Sequence, residues 1–265
     1  MTMSFHENTE SHDSFSDKID LQPANPSTQP VCLIPGGRGH LGKTLIARWA
    51  YERAQNDGRL VLLADGDRTN QSLRGYFKNA SFPPSADPAA VQIWLESEIE
   101  QAAAKRKSII IDFGAGDLTL KKMATELALA QTLEEMGLRP VALYCVGADP
   151  DDLSALFSLY EAYAPPSIII AFTTFSLPRH VSPVEALETI THRHPDLGRI
   201  LDQGAEIIPV PVLTCAHKLS DRRMNFHEAA SGEGPDPLGP FDRQRVTTWL
   251  RFMQDAFAPV AHWLP

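Results

Sequence analysis

Residues 31–44 read Val-Cys-Leu-Ile-Pro-Gly-Gly-Arg-Gly-His-Leu-Gly-Lys-Thr. The apolar run Val31–Ile34 predicts a strand buried on both faces, and the stretch from Gly37 to Thr44 matches G-x-x-x-x-G-K-[ST] at every fixed position. The glycines let backbone N–H groups turn inward around an anion, where a Cβ would obstruct them. Lys43 is placed to reach the β- and γ-phosphates of a nucleotide, and the Thr44 hydroxyl to ligate Mg²⁺. A helix starting at Lys43 would aim its positive end at the same phosphates. A chain of this length shows the pattern by chance roughly 1% of the time.

Outward from this loop the sequence alternates. Further strand-like runs are Leu60–Ala64, Ser108–Ile111, Val141–Val146, Ser167–Phe172 and Ala205–Val210. They are continuous hydrophobes rather than in/out alternations, as in parallel strands covered on both faces. Helical patterns fall between them at 43–56, 88–105, 119–136, 150–162 and 184–202, the last broken near Pro195. A final helix over 241–257 carries Val246, Trp249, Leu250, Met253 and Phe257 as one apolar stripe. Strand–helix alternation predicts an α/β fold: a doubly wound, mostly parallel sheet flanked by helices, with ligands at the carboxyl ends of the strands.

The residues following the next two strands suit that chemistry. Leu60–Ala64 runs into Asp65-Gly-Asp67-Arg68-Thr69-Asn70, placing two carboxylates at a strand end, one able to hold Mg²⁺ or its water shell and one to orient an attacking water. Ser108–Ile111 runs into Asp112-Phe-Gly-Ala-Gly116, a hydrophobic strand ending in a carboxylate for Mg²⁺. Asp112-Phe113-Gly114 also spells a kinase motif, but no H-R-D-type catalytic loop precedes it and the phosphate loop is of another kind.

The three loops together resemble the ParA/MinD branch of P-loop ATPases, over about residues 30–257. In that branch the first loop reads G-K-G-G-x-G-K-[ST], the second strand ends in D-x-D, and the third in D-x-x-A-G or a close variant. Here the first loop is Gly37, Arg38, Gly39, His40, Leu41, Gly42, Lys43 and Thr44. The segment Ile207–Val210, followed by Phe226-His-Glu-Ala229, looks like the family's last strand and the helix near its switch. The resemblance implies ATP and Mg²⁺ as ligands, with Gly37 to Thr44 holding the nucleotide. It places Asp65 at the catalytic switch beside Lys43, Asp67 near the Mg²⁺ water shell, and Thr44 and Asp112 at the metal. It implies a nucleotide-dependent homodimer, with slow hydrolysis stimulated by a protein partner. Arg38 stands where the family's signature lysine reaches across to the partner's phosphates; arginine keeps the charge and adds a bidentate fork. His40 stands where the family has a glycine. The family's adenine-reading Asn has no counterpart in Thr173-Thr174-Phe175-Ser176, which leaves ATP against GTP open. Within the branch the loop is closest in flavour to the StbB- and TraL-like accessory ATPases of plasmid stabilisation and conjugative transfer. A metabolic P-loop enzyme, such as a dethiobiotin-synthetase-like ligase or a small-molecule kinase, and a non-hydrolysing scaffold are the alternatives.

Composition sets the outer bounds. The 265 residues carry 24 basic and 33 acidic side chains, a formal net charge of −9, which excludes a uniformly basic nucleic-acid-coating surface. DNA contact through the mixed-charge stretch 213–251 stays open, and its final helix is not basic enough for a membrane anchor. No apolar run approaches the roughly 18 residues of a membrane span, and no signal-peptide pattern opens the chain, so a cytoplasmic location is expected. Cys32, Cys145 and Cys215 are scattered, which argues against disulfides or a metal knuckle. His192-x-His194 lacks a third ligand nearby, and Asp149-Pro-Asp-Asp152 reads as a helix N-cap. Residues 1–29 read as a disordered polar tail, in which Glu7, Glu10, Asp13, Asp17 and Asp20 face only Lys18, with residues 30–265 as one P-loop domain.

Overall fold

A computed structural model of the chain describes residues 29–67, 72–114, 118–175, 177 and 180–265. The expected tail lies almost wholly outside them. Six strands form one sheet: β1 (Val31–Gly36), β2 (Val61–Asp65), β3 (Ser108–Asp112), β4 (Arg139–Val146), β5 (Ser167–Thr173) and β6 (Glu206–Val210). Their order is β2-β3-β1-β4-β5-β6, and every pairing is parallel. The chain therefore passes from β1 to the edge strand β2, returns to β3 between them, and then crosses to the other side of β1 and winds outward through β4, β5 and β6. The reversal falls at β1, between β3 and β4, and the loop after β1 opens at that switch point.

The sheet is doubly covered, which explains its unbroken hydrophobic strands. Leu33, Val141, Leu143 and Ile169 face a core built with α1 (Lys43–Asn56), α10 (Phe226–Ser231) and α11 (Pro240–Ala256). Cys32, Ile34, Ala142 and Ile170 face the other core, built with α3 (Pro88–Ala104), α4 (Thr119–Leu127), α5 (Leu129–Glu135), α6 (Pro150–Ala162), α7 (Pro183–Arg193) and α8 (Pro195–Asp202). All three cysteines are buried and free.

The expected helix over 119–136 is two helices. Ala128 takes a left-handed conformation, φ 45° and ψ 51°, between α4 and α5. The buried stripe Leu120, Met123, Ala124 resumes at Leu129 and Leu133. The step from 124 to 129 would turn a continuous helix about 140° off that face, and the break restores alignment. The break expected near Pro195 lies between α7 and α8, and the last helix starts one residue earlier than the stripe suggested. Two short helices have no counterpart in the sequence reading, α2 (Ser72–Tyr76) and α9 (Ala216–Arg222), whereas α10 coincides with the helix expected at Phe226–Ala229. No described helix is long and apolar enough to cross a membrane.

Candidate functional site

The loop between β1 and α1 takes the course its glycines permit. Gly37 sits at φ +124°, and a Cβ there would lie 2.4 Å from the Cys145 carbonyl oxygen. Gly42, at φ +86°, is the N-cap of α1 and brings no side chain to its first N–H groups. His40 also lies in the left-handed region, at φ 63°, which favours glycine. That is the physical sense of a glycine at this point in the resembled family.

Lys43 is buried and folds back along the loop, donating to the Gly37 carbonyl at 3.1 Å and the Arg38 carbonyl at 2.8 Å. The Thr44 hydroxyl donates to Asp112 Oδ2 at 2.7 Å. Asp112 Oδ1 is buried without a hydrogen-bond partner. Burial pushes the Asp112 carboxyl up to about 7, against the pull of Thr44 and Lys43, and the nearby Asp65 and Asp67 add to the rise. An orphaned acceptor beside a hydroxyl suits a divalent cation. Among the described residues no three His, Cys, Asp or Glu side chains converge as a metal cluster. A cation held by Thr44 and Asp112 would therefore complete its shell with phosphate oxygens and water, which is the usual habit of Mg²⁺.

Asp65 and Asp112 are register partners at the ends of neighbouring strands. Asp65 is fully buried and accepts from the Asp67 N–H at 3.3 Å and the Arg74 N–H at 3.1 Å. It thereby holds the start of α2, and burial still raises it to about 6. The Asp67 carboxylate lies over Gly114, where a Cβ would come within 2.9 Å of its Oδ1. Gly114 is thus the small residue that lets the two acidic loops meet. Arg68, Thr69 and Asn70 of the second loop, and Ala115 and Gly116 of the third, lie outside the described residues.

Arg38 points away from this cluster. Its guanidinium meets the amino-terminal turn of α6, 3.1 Å from Asp152, 3.7 Å from Asp149 and 3.8 Å from Asp151. Asp149 caps α6 as expected, accepting from the Asp151 N–H at 2.8 Å, and buried Asp152 also accepts from the Gly147 N–H. On the far side of the loop Thr173 lies 3.8 Å from where a Gly42 Cβ would stand, and its hydroxyl donates to the Val146 carbonyl.

Sequence reasoning missed a buried pair on α1. Arg48 is sandwiched between the Tyr76 ring, 3.4 Å from its centroid, and the Phe226 ring, at 4.7 Å, and it donates to the Met224 carbonyl. Glu52 Oε2 accepts from the Phe226 and His227 N–H groups, at the start of α10. These two side chains link α1 to α2, which follows Asp65, and to α10. The available signal was a charged i,i+4 pair on a helix whose neighbours Ile46, Ala47, Trp49 and Ala50 are all apolar. Of the six Lys and Arg residues of 213–251, three are ion-paired: Lys218 and Arg245 with Asp242, and Arg222 with Asp236.

The fold is an α/β P-loop architecture, with its strand–glycine loop–helix unit at the sheet's switch point. No protein-family model matches the chain, and no curated protein matches it. Among solved structures it is similar to chloroplast FtsY from Physcomitrella patens, at 17% identity over 87% of this chain and 67% of that one, with a TM-score of 0.46. It is similar to the cell division protein FtsY from Thermotoga maritima at 21% identity, over 73% and 64% of the two chains, with a TM-score of 0.45. For FtsY from Mycoplasma mycoides the identity is 15%, the coverage 55% and 53%, and the TM-score 0.37. These are distant likenesses, and the chemistry of the site stands on its own residues.

Proposed function

We propose that the chain is a slowly hydrolysing ATPase of the ParA/MinD type, a nucleotide-dependent dimerisation switch serving DNA partition, plasmid stabilisation or conjugative transfer. The observation that carries the reading is the Thr44–Asp112 hydrogen bond beneath the glycine loop, with the second Asp112 oxygen unpartnered. Lys43 exchanges its bonds to loop carbonyls for bonds to phosphate oxygens. Thr44 and Asp112 would hold Mg²⁺, with Asp67 nearby, and a bound ion would supply charge neutralisation at the phosphates. Asp65 sets the loop that positions the attacking water. Arg38, released from the α6 acids, reaches the partner subunit's phosphates. The assignment of ATP over GTP rests on the resemblance alone, and competition between the two nucleotides tests it.

The deciding experiment is light scattering of the apo protein and of its ATP–Mg²⁺ form, with Lys43→Ala as the binding control. The expected result is a monomer that becomes a dimer only with ATP–Mg²⁺, and nucleotide affinity at least tenfold weaker in Lys43→Ala. A constant mass with nucleotide demonstrably bound sinks the switch reading.

One observation favours the metabolic alternative. A cavity of about 150 Å³ lies beside Lys43, lined by Gly37 and Arg38 of the loop and by Leu118, Leu120, Lys121 and Leu159. It is placed to receive a small acceptor next to the terminal phosphate. Phosphate transfer to a small acid or amine without a change in mass would establish that reading instead.

A further inference from the structure

All strands are parallel, so their amino ends meet at the edge of the sheet opposite the phosphate loop. A cavity of about 660 Å³ opens there. Arg59, Lys105, Arg106, Lys107 and His262 line it, and no acidic side chain is among the described residues that do. Asp57 pairs with Arg59 at 2.6 Å from outside the lining, whereas Lys105 meets the neutral amide of Gln101. Arg139 adds a further cation at the margin, donating to the His262 carbonyl. One wall is apolar: Leu60 is 69% exposed, although it directly precedes a buried strand.

Gln29 and Pro30 form part of the same lining. The described residues therefore begin within this basic pocket, and 28 residues precede them in the sequence. Those preceding residues carry Glu7, Glu10, Asp13, Asp17 and Asp20 against Lys18 alone, with Ile19 and Leu21 flanking the last acid. Leu21 precedes Pro30 by so few residues that its reach is at most about 30 Å, enough to span the pocket but not to leave its neighbourhood. A tethered segment of this kind acts at an effective concentration of about millimolar. An external polyanion must compete with it and must also approach a molecule of net charge −9.

We propose that the acidic amino-terminal segment, residues 1–28, docks on the Arg59–Lys105–Arg106–Lys107 pocket and closes that surface to other polyanions. Asp17 and Asp20 supply the charge, and Ile19 or Leu21 covers Leu60. The pocket is remote from the phosphate loop, so the inference is independent of the proposed nucleotide chemistry.

Two measurements on the full-length chain test it. Zero-length carbodiimide crosslinking, mapped by mass spectrometry at low salt, should join tail carboxylates to Lys105 and Lys107 within one molecule. The yield should drop severalfold in Arg106→Glu, which leaves both lysines in place, and at about 0.5 M salt. Crosslinks spread evenly over Lys78, Lys121 and Lys218, or formed only between molecules, would overturn the proposal. In parallel, a fluorescein-labelled heparin fragment is titrated against wild type and against E7Q/E10Q/D13N/D17N/D20N. The neutralised tail should bind the probe at least tenfold more tightly, and adding K105E/R106E/K107E should abolish the gain. Equal affinity of wild type and neutralised tail would mean that the pocket is open to external polyanions, and the docking would be disproved.

Discussion

Gly37 shows how little room the phosphate loop leaves at the scale of a single residue. Its φ of +124°, with the Cys145 carbonyl oxygen 2.4 Å from where a Cβ would stand, excludes any side chain. Gly37→Ala should destabilise the fold by about 2–4 kcal/mol, read by urea denaturation, because strain and a backbone clash act together. His40 accepts a left-handed conformation as a non-glycine residue, at a cost of about 1 kcal/mol that Gly42 avoids. Asp112 is the other residue whose surroundings decide its role. It is buried, bonded to Thr44 through one oxygen and unpartnered at the other, a state that a cation relieves.

At the scale of elements, α1 does more than follow the loop. Its Arg48 lies between Tyr76 of α2 and Phe226 of α10, and its Glu52 supplies an acceptor for the first N–H groups of α10. A change in the loop after Asp65 therefore has a packed route to the last third of the chain. Glu52→Ala should cost about 2–4 kcal/mol in thermal or chemical denaturation, because it removes that cap and leaves Arg48 buried without its counter-charge. Glu52→Gln keeps an acceptor oxygen and should cost less. Hydrogen exchange should show the loss concentrated in α10. The break at Ala128 belongs to this scale too, since it realigns Leu129 and Leu133 with the stripe begun by Leu120 and Met123.

At the scale of the whole molecule, three buried carboxyls share one sign. Burial raises Glu52 and Asp112 to about 7 and Asp65 to about 6. Each binds its proton more tightly folded than unfolded. The folded state therefore gains stability relative to the unfolded chain as pH falls from about 7 toward about 4, and loses it as pH rises through that window. The nucleotide-free protein should melt a few degrees higher near pH 5.5 than near pH 8, and Glu52→Gln should flatten that slope. Nucleotide–Mg²⁺ affinity should run the opposite way, weakening as pH falls, because a cation needs the Asp112 carboxylate. A melting temperature that rises with pH across this range would refute the burial argument.

The sequence by itself determined the sheet and the loop. Continuous apolar runs separated by helical periods admit few arrangements besides a doubly wound parallel sheet, and the fixed positions from Gly37 to Thr44 demand a particular backbone course. Asp65, Asp67 and Asp112 were legible as candidates because strand ends in such a sheet converge on one edge. Tertiary structure decided what each of them touches. Asp65 holds the start of α2, Arg38 meets the α6 acids, and the Arg48–Glu52 pair ties α1 to helices that lie far along the chain. The basic pocket beneath the sheet assembles Arg59, Lys105–Lys107 and His262 from three distant segments. Periodicity reports which face of an element is buried; it carries no information on which distant side chain arrives there, because such pairings follow from strand order and from the packing of whole helices.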